Sequence, residues 1–332
     1  NHLIYKYTFI ITEVQCMVEL TIIVPVYNAE KEISLCLDSI LHQINVSVEI
    51  IVVNDCSTDN TLSIIRKYQK LYSNITILNT KTNSGPGIAR NLGLSYVTGS
   101  YVGFVDSDDW VDLNFYNTLL QAIKRDDSDI AIAGITDEYN NSLTASMRYL
   151  YEDYGTIDGK TGLKLLTKSY NLGMFITPIM NNKIYKTSFI TDNKIYCSDN
   201  TSWQDDFFSF FAILYAKKIC FVPKVQYHYK QRISSITHEA TSPKIKIDNC
   251  INVLIKIRKE LQKQKLYDIY EKDYYSFVER CITSLLSMLR KSYNSCTNEN
   301  LLYLFEKITQ NFSMKKIILY LDNERIYKFF NL

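Results

Sequence analysis

No apolar run in the 332-residue chain approaches the length of a membrane-spanning helix, so nothing in it reads as a transmembrane segment. Excess charge is missing as well. A formal net charge of +2 gives no argument for bulk nucleic-acid binding. The eight cysteines, at 16, 36, 56, 197, 220, 250, 281 and 296, form no CxxC and no metal-type spacing, which leaves reduced thiols in a cytosolic protein as the reading. There is no internal repeat and no low-complexity linker. Residues 1–16 have one Lys, no initiator Met and no small-residue cleavage site, which makes a poor signal peptide. Met17 is expected to be the natural start and 1–16 an N-terminal extension.

What is present is a globular composition, 46% apolar with 26 Tyr and 15 Phe, in a chain longer than one ordinary core usually covers. The first half alternates in type. LTIIVPV (20–26), VEIIVVN (48–54), ITILNT (75–80), YVGFV (101–105) and DIAIAG (129–134) read as buried strands. Between them lie helical periodicities over 29–43, after Ser57-Thr58-Asp59, and after the turn NSGPG (83–87). That order predicts an α/β fold with a doubly wound, mostly parallel sheet and flanking helices. Residues 160–238 mix short helices and loops. From about 244 amphipathic helices take over, with apolar stripes at Ile251, Leu254, Ile255 and Ile257 and at Phe277, Cys281, Leu285 and Leu289. The expected division is 17–115, 116–240 and a C-terminal helical region, 241–332.

Ligands of open parallel sheets bind outside the carboxyl ends of the strands, and polar residues gather there. The first strand ends in Pro25, Tyr27 and Asn28, the second in Asn54, Asp55 and Ser57, and the fourth in Asp106, Ser107, Asp108 and Asp109. Asp106 and Asp108 are two apart and point the same way on an extended chain, an oxygen pair suited to Mg²⁺ or Mn²⁺. Asp109 or Asp112 could instead cap the helix near 115–123, although capping does not need three acids. Glycines in NSGPGIARN permit close backbone approach, and the helix N-terminus that follows favours anions. Arg90, one turn in, could reach a phosphate or an aspartate of the site.

VPVYNAEKEISLCLDSILHQ, EIIVVNDCSTDNT, NSGPGIARNLGLSYVTGSYVGFVDSDDW and WQDDFFSF together resemble the family 2 glycosyltransferases of the GT-A fold. The match runs from about Leu20 to Trp110, resumes in patches to about Thr237, and omits the C-terminal hundred residues. The resemblance implies a nucleotide-diphosphate-sugar donor, commonly UDP-linked, a divalent cation, and inversion at the anomeric carbon. It also implies a donor pocket from Pro25, Tyr27, Asn28, Glu30, Asp55, Arg90, Asp106 and Ser107, with Asp108 as metal ligand alongside Asp106.

Inversion needs a carboxylate base, and the resemblance implies the Asp of a Glu-Asp pair. Aligning Gln204-Asp205 on that pair makes Asp205 the base, which is preferred; aligning Asp205-Asp206 makes it Asp206. Gln for Glu is a departure. These acids could also cap the helix that follows them. Trp203 could stack on an acceptor sugar. YHYKQRISSIT (227–237) resembles a segment closing over the diphosphate, which makes Arg232 and Ser234 candidate phosphate contacts and His228 a candidate metal contact. PIMNNKIYKTSFI (178–190) resembles the acceptor-side half and is given no chemistry.

A sugar nucleotidyltransferase would need a glycine-rich loop after the first strand, where this chain has VPVYNAE. A processive synthase would need transmembrane helices and QxxRW. A non-catalytic, nucleotide-binding or scaffold relative stays open because of Gln204. The expectation is transfer of one sugar to a glycan or lipid-linked glycan of a bacterial-type surface polysaccharide, in the cytoplasm or at the inner face of the membrane, with peripheral membrane contact and a homodimer left open.

Overall fold

The computed structural model of the protein describes residues 18–139, 146–149, 155–167, 175–199, 202–231, 242–291 and 297–320. Four parallel strands open it: β1 (Leu20–Val26), β2 (Val48–Asn54), β3 (Ile75–Asn79) and β4 (Tyr101–Phe104). The connections are α1 (Ile33–Leu41), α2 (Thr61–Leu71) and α3 (Pro86–Leu94). β1 lies between β2 and β4 and is buried at every position, which is why it reads as an unbroken apolar run rather than an alternation.

The chain continues through β5 (Trp110–Val111), α4 (Phe115–Arg125), β6 (Ile130–Tyr139), β7 (Ser146–Tyr149), β8 (Thr156–Ile157) and α5 (Gly159–Leu166). Then come β9 (Lys183–Lys186), α6 (Thr187–Asp192), α7 (Gln204–Tyr215) and β10 (Ile219–Gln231). Among the described residues all ten strands join one sheet, in the order β3-β2-β1-β4-β9-β6-β10-β5, with β7 on β6 and β8 on β10. β9 is antiparallel to both β4 and β6, so β6 and its parallel neighbour β10 point the same way as β1–β4. The sheet is mixed but mostly parallel, and residues on either side of 115 share it.

The alternative role of the acids as helix caps does not occur. α4 starts at Asn114 and α7 at Trp203, neither with a side-chain cap, because Asp109, Asp112, Asp205 and Asp206 are engaged elsewhere. Trp203 sits at φ 66°, a left-handed conformation that costs a bulky residue strain and turns the chain sharply into α7.

Against α7 pack α8 (Pro243–Lys263) and, through it, α9 (Tyr267–Lys291), followed by α10 (Asn298–Asn311) and α11 (Met314–Tyr320). The predicted stripes are the packed ones: Ile251, Leu254 and Ile257 on α8, and Phe277, Cys281, Leu285 and Leu289 on α9 are buried. Phe210 of α7 meets Phe277 of α9 edge to face at 5.1 Å. On its other side Phe208 meets Phe104 and Tyr185, so α7 is wedged between sheet and helical layer. Among the described residues no helix is long and apolar enough to cross a membrane.

Candidate active site

The loops after β1 and β2 fasten to each other. Asn28, at φ 48°, accepts the Thr58 N–H at 2.7 Å and donates its own N–H to Ser57 Oγ at 3.1 Å. The Ala29 N–H donates to Thr61 Oγ1, and Glu30 Oε2 accepts the Asn60 N–H at 3.0 Å. Pro25 is buried at the end of β1, while the next aromatic, Tyr27, is 46% exposed. A flat, open ring beside a rigid double loop is suited to stacking on a planar base.

Asp55, expected in the donor pocket, ties the end of β2 to the loop before α3. Its carboxylate accepts N–H groups from Ser84 (2.9 Å) and Gly85 (2.7 Å) and the Thr80 hydroxyl (2.6 Å). Gly85 adopts φ 85°, ψ 164°, a conformation open essentially to glycine. The anion at the start of α3 is therefore Asp55 itself, where NSGPG alone suggested a phosphate site.

Arg90 is the centre of the site. It is 2% exposed, and its Nη2 donates to Asp106 Oδ1 at 2.6 Å while Nη1 donates to Asp205 Oδ1 at 3.0 Å. One planar fork thus joins the end of β4 to the first turn of α7, with Arg90 and Asp205 115 residues apart in sequence. Each carboxylate keeps a second oxygen without a hydrogen-bond partner among the described residues. Arg90 Nε is buried with no partner there either, a cost that packing alone does not explain. The approach of α7 depends on Asn91, whose amide exchanges two 2.8 Å bonds with the Cys197 backbone. It depends also on Gly87, where a Cβ would lie 2.5 Å from the Ser198 carbonyl oxygen.

The two acids of α7 part company. Asp205 meets Arg90 and keeps a 24% exposed side chain; burial raises its pKa above the usual carboxylate value, Arg90 opposes and Asp106 adds. Asp206 faces the helical layer, 3.9 Å from Arg280 and hydrogen-bonded by the Cys281 thiol. Burial pushes it up to about 7, against Arg280. Gln204 is buried with its amide oxygen unpartnered among the described residues, and Trp203 is half-buried against the core edge.

In the acidic run, Asp106, Ser107 and Asp108 are half-buried, and Asp109 is 1% exposed. The Tyr227 hydroxyl donates to Asp109 at 2.5 Å, and the Lys230 N–H adds a second bond at 2.8 Å. Burial holds the Asp109 carboxyl well above the usual range. His228, expected as a metal contact, is held between two carboxylates. Its Nε2 meets Asp112 at 2.9 Å, its Nδ1 meets Glu138 at 2.8 Å, and its ring stacks on Trp110, its cross-strand neighbour, at 5.4 Å. Burial would lower its pKa, but the hydrogen bonds to Asp112 and Glu138 outweigh it and raise it. Arg232 and Ser234 lie outside the described residues.

Among the described residues no three His, Cys, Asp or Glu side chains converge on a ready metal cage. The donor set fits a hard cation that keeps waters and takes ligand oxygens from a substrate: the half-buried Asp108 and the second oxygen of Asp106. Sequence reasoning missed Asn91, Tyr227, Asn181 and Lys183. Lys183, 1% exposed, donates to the carbonyls of Thr177 and Ile179 and to Asn182 Oδ1, and burial brings its pKa down to about 7. A lysine opening the short apolar run KIY was the available signal.

Comparison with known proteins agrees with this geometry. The family model described as glycosyl transferase family 2 matches residues 21–192. A poly(ribitol-phosphate) beta-glucosyltransferase of Bacillus spizizenii is 33% identical over 220 residues, 64% of this chain and 32% of that protein. The poly(ribitol-phosphate) beta-N-acetylglucosaminyltransferase TarS of Staphylococcus aureus is 31% identical over 217 residues, 64% of this chain. The chain thus spans about a third of the length of these two relatives. The crystal structure of S. aureus TarS 1–349 superposes with a TM-score of 0.66 at 24% identity, over 92% of this chain and 82% of that one. A second TarS 1–349 structure, in complex with UDP-GlcNAc, gives 0.62 at 23% identity, covering 89% of each. This likeness shows the fold, which is of GT-A type with C-terminal helices added. With more than half of its length matched by the family model, the chain belongs to glycosyl transferase family 2.

Proposed function

We propose that the protein transfers one sugar from a nucleotide-diphosphate sugar, UDP-linked, to a glycan or lipid-linked glycan acceptor, with inversion, using Asp205 as base. The observation that supports this reading above others is the Arg90 fork, which holds one oxygen of Asp106 and one of Asp205 in a single buried unit. A single displacement needs a base near the acceptor hydroxyl, opposite the leaving diphosphate, and the fork keeps the proposed base beside the proposed donor-side carboxylate.

In this reading Tyr27, Asn28, Glu30 and the neighbouring Pro25 line the nucleoside end, and Asp55 shapes the loop that closes it. Asp106 and Asp108, with Ser107 between them, face the diphosphate and would hold Mn²⁺ or Mg²⁺, which when bound neutralises charge on the leaving diphosphate. The free oxygen of Asp205 takes the proton of the acceptor hydroxyl as that oxygen bonds to the anomeric carbon. The bond from that carbon to the diphosphate breaks, and the electron pair leaves with the phosphate oxygen. A base of this kind contributes about 10²–10⁴-fold. Burial raises the pKa of Asp205, which makes it a stronger proton acceptor, and the Arg90 guanidinium opposes that rise by favouring the carboxylate. Asp206, turned toward Arg280, has no part in the step. Trp203 at the start of α7 supplies an aromatic face for the acceptor.

The TarS complex with UDP-GlcNAc supports a UDP donor, and the poly(ribitol-phosphate) transferases among the relatives support a surface-polymer acceptor. The test is calorimetric titration of UDP with and without Mn²⁺, on wild type and Asp108→Ala. Metal-dependent binding that the variant loses is the expected result. Absence of UDP binding in wild type refutes the UDP donor, and metal-independent binding removes the cation.

A further inference from the structure

Behind the acidic run lies a buried hydroxyl that no step above uses. Tyr227, on β10, is fully buried, and its phenol has three hydrogen bonds. It donates to Asp109 Oδ2 at 2.5 Å and accepts the backbone N–H of Asp106 at 3.2 Å and the side-chain amide of Asn181 at 3.1 Å. One donor and two lone pairs are the full capacity of a phenol, so the hydroxyl is saturated. Its partners are buried as well: Asp109 and Asn181 are each 1% exposed.

The three partners come from two parts of the chain. Asp106 and Asp109 are the first and last residues of DSDD, so the hydroxyl spans the turn that carries Ser107 and Asp108. Asn181 belongs to the 177–183 stretch that enters β9, and that stretch is itself tied down. Lys183 gathers the carbonyls of Thr177 and Ile179, and Ser209 of α7 donates to the Pro178 carbonyl at 2.5 Å. Asn182 donates to the Ala133 carbonyl at 2.6 Å. The run of half-buried acids thus rests, through one oxygen atom, on a segment locked to the helix that bears Asp205.

We infer that Tyr227 is a positioning residue: its hydroxyl, held by Asn181, fixes the DSDD turn in the shape that binds the cation and diphosphate, and joins that turn to the segment beneath the base helix. This rests on the donor-site reading given above. A phenylalanine there keeps the ring and its contact with Phe115 but strands three buried groups, the Asp106 N–H, the Asn181 amide and one Asp109 oxygen. The turn then relaxes to find other partners, and the positions of Asp106 and Asp108 change.

The experiment is UDP titration by calorimetry at several fixed Mn²⁺ concentrations, together with Mn²⁺ binding followed by electron paramagnetic resonance, on wild type, Tyr227→Phe and Asn181→Ala. Expected for Tyr227→Phe is UDP affinity without metal equal to wild type, with Mn²⁺ affinity in the presence of UDP lower by about tenfold, the worth of one well-made buried hydrogen bond. Asn181→Ala leaves the hydroxyl on Asp109 and Asp106 and is expected to lose about threefold by the same measure. A lower melting temperature with Mn²⁺ affinity unchanged would make Tyr227 a packing residue and overturn the inference. Should Tyr227→Phe not fold, full Mn²⁺ affinity in Asn181→Ala overturns it equally. Wild-type UDP binding that ignores Mn²⁺ refutes the donor-site reading instead, so the two failures are separate.

Discussion

Replacing Arg90 by Gln removes the cation between Asp106 and Asp205 and leaves two carboxylates at a largely buried site. An opposite charge within hydrogen-bond reach lowers an aspartate pKa by about 1–3 pH units. Arg90 donates to Asp205 at 3.0 Å, and burial already raises that carboxyl. Without Arg90 the desolvation and the repulsion from Asp106 act unopposed, so the Asp205 pKa rises by about that range. The base works only when ionised, and the acid limb of kcat/KM reports its pKa in the free enzyme. The limb therefore moves to higher pH by about 1–3 pH units, and activity below the new limb falls about tenfold for each unit of that rise.

The assay is UDP release from a UDP-sugar across pH 5–9.5, at low temperature, because removing one partner of a buried ion pair costs about 3–5 kcal/mol of stability. Arg90→Lys is the companion variant. One ammonium keeps a positive charge but cannot fork to two carboxylates, so a smaller shift of the limb is expected with a loss of kcat at every pH. A uniform loss in Arg90→Gln, with the limb unmoved and no recovery at high pH, would refute the electrostatic role and leave Arg90 as packing.

Asp205→Asn should bind UDP normally and lose about 10²–10⁴-fold in turnover, whereas Asp206→Asn should keep turnover within a few-fold; the reverse pattern assigns the base to Asp206. Asp206 also gives a thermodynamic signature. Its folded pKa of about 7 lies above the unfolded value, so the folded state favours the proton and wild type loses stability as pH rises from about 4 to 7, by on the order of 4 kcal/mol. Denaturant titrations at pH 4.5 and 7 should show a flatter dependence in Asp206→Asn; equal slopes contradict the burial argument. Gly87→Ala would put a methyl 2.5 Å from a backbone oxygen, a clash that costs about 1–3 kcal/mol and loosens α7 from α3. An unchanged melting temperature would mean that the approach of Ser198 is not tight in solution.

What the sequence made legible is what local chemistry dictates. β1 and β2 begin and end as expected, because both are dominated by buried apolar residues, with Thr21 in β1 and Glu49 and Asn54 in β2 as their polar positions. The meeting of Asp106 with Arg90 was legible in part, because Asp106 ends a strand and Arg90 lies one turn into the helix after NSGPG. Asp205 joins them from α7, while Asp206 turns away to Arg280. What stayed hidden depends on partners far away in the chain. Asp55 has the look of a ligand-binding acid, yet its carboxylate is consumed by N–H groups 29 and 30 residues on, made available by the Gly85 backbone. The sequence around His228 does not show that Asp112 and Glu138, 116 and 90 residues away, meet its two ring nitrogens. Tyr227 reads as an ordinary strand aromatic, since the hydroxyl's three partners lie between 46 and 121 residues distant. No window of periodicity contains such information.

The C-terminal helices, outside the family match, have a place in the same electrostatics. Successive residues on a helix point about 100° apart, so Asp205 and Asp206 cannot share one cation. The first takes Arg90 from the sheet side and the second Arg280 from α9. α7 is thus flanked by a cation on each side, and the helical layer holds the helix that bears Asp205 without touching that residue. Arg280→Met tests this. Below about pH 7 Asp206 is protonated with or without Arg280, and the variant differs from wild type only in packing. Above it, wild type gains the attraction between carboxylate and guanidinium while the variant must keep Asp206 neutral, so its folded pKa rises further. The stability difference should therefore grow by about 1.4 kcal/mol per pH unit from pH 7 upward until the variant's own pKa is reached. Denaturant titrations at pH 6 and 8 measure it. A difference equal at the two values would show that Arg280 does not sense the charge of Asp206, and the helical layer would then hold α7 by its aromatic contacts alone.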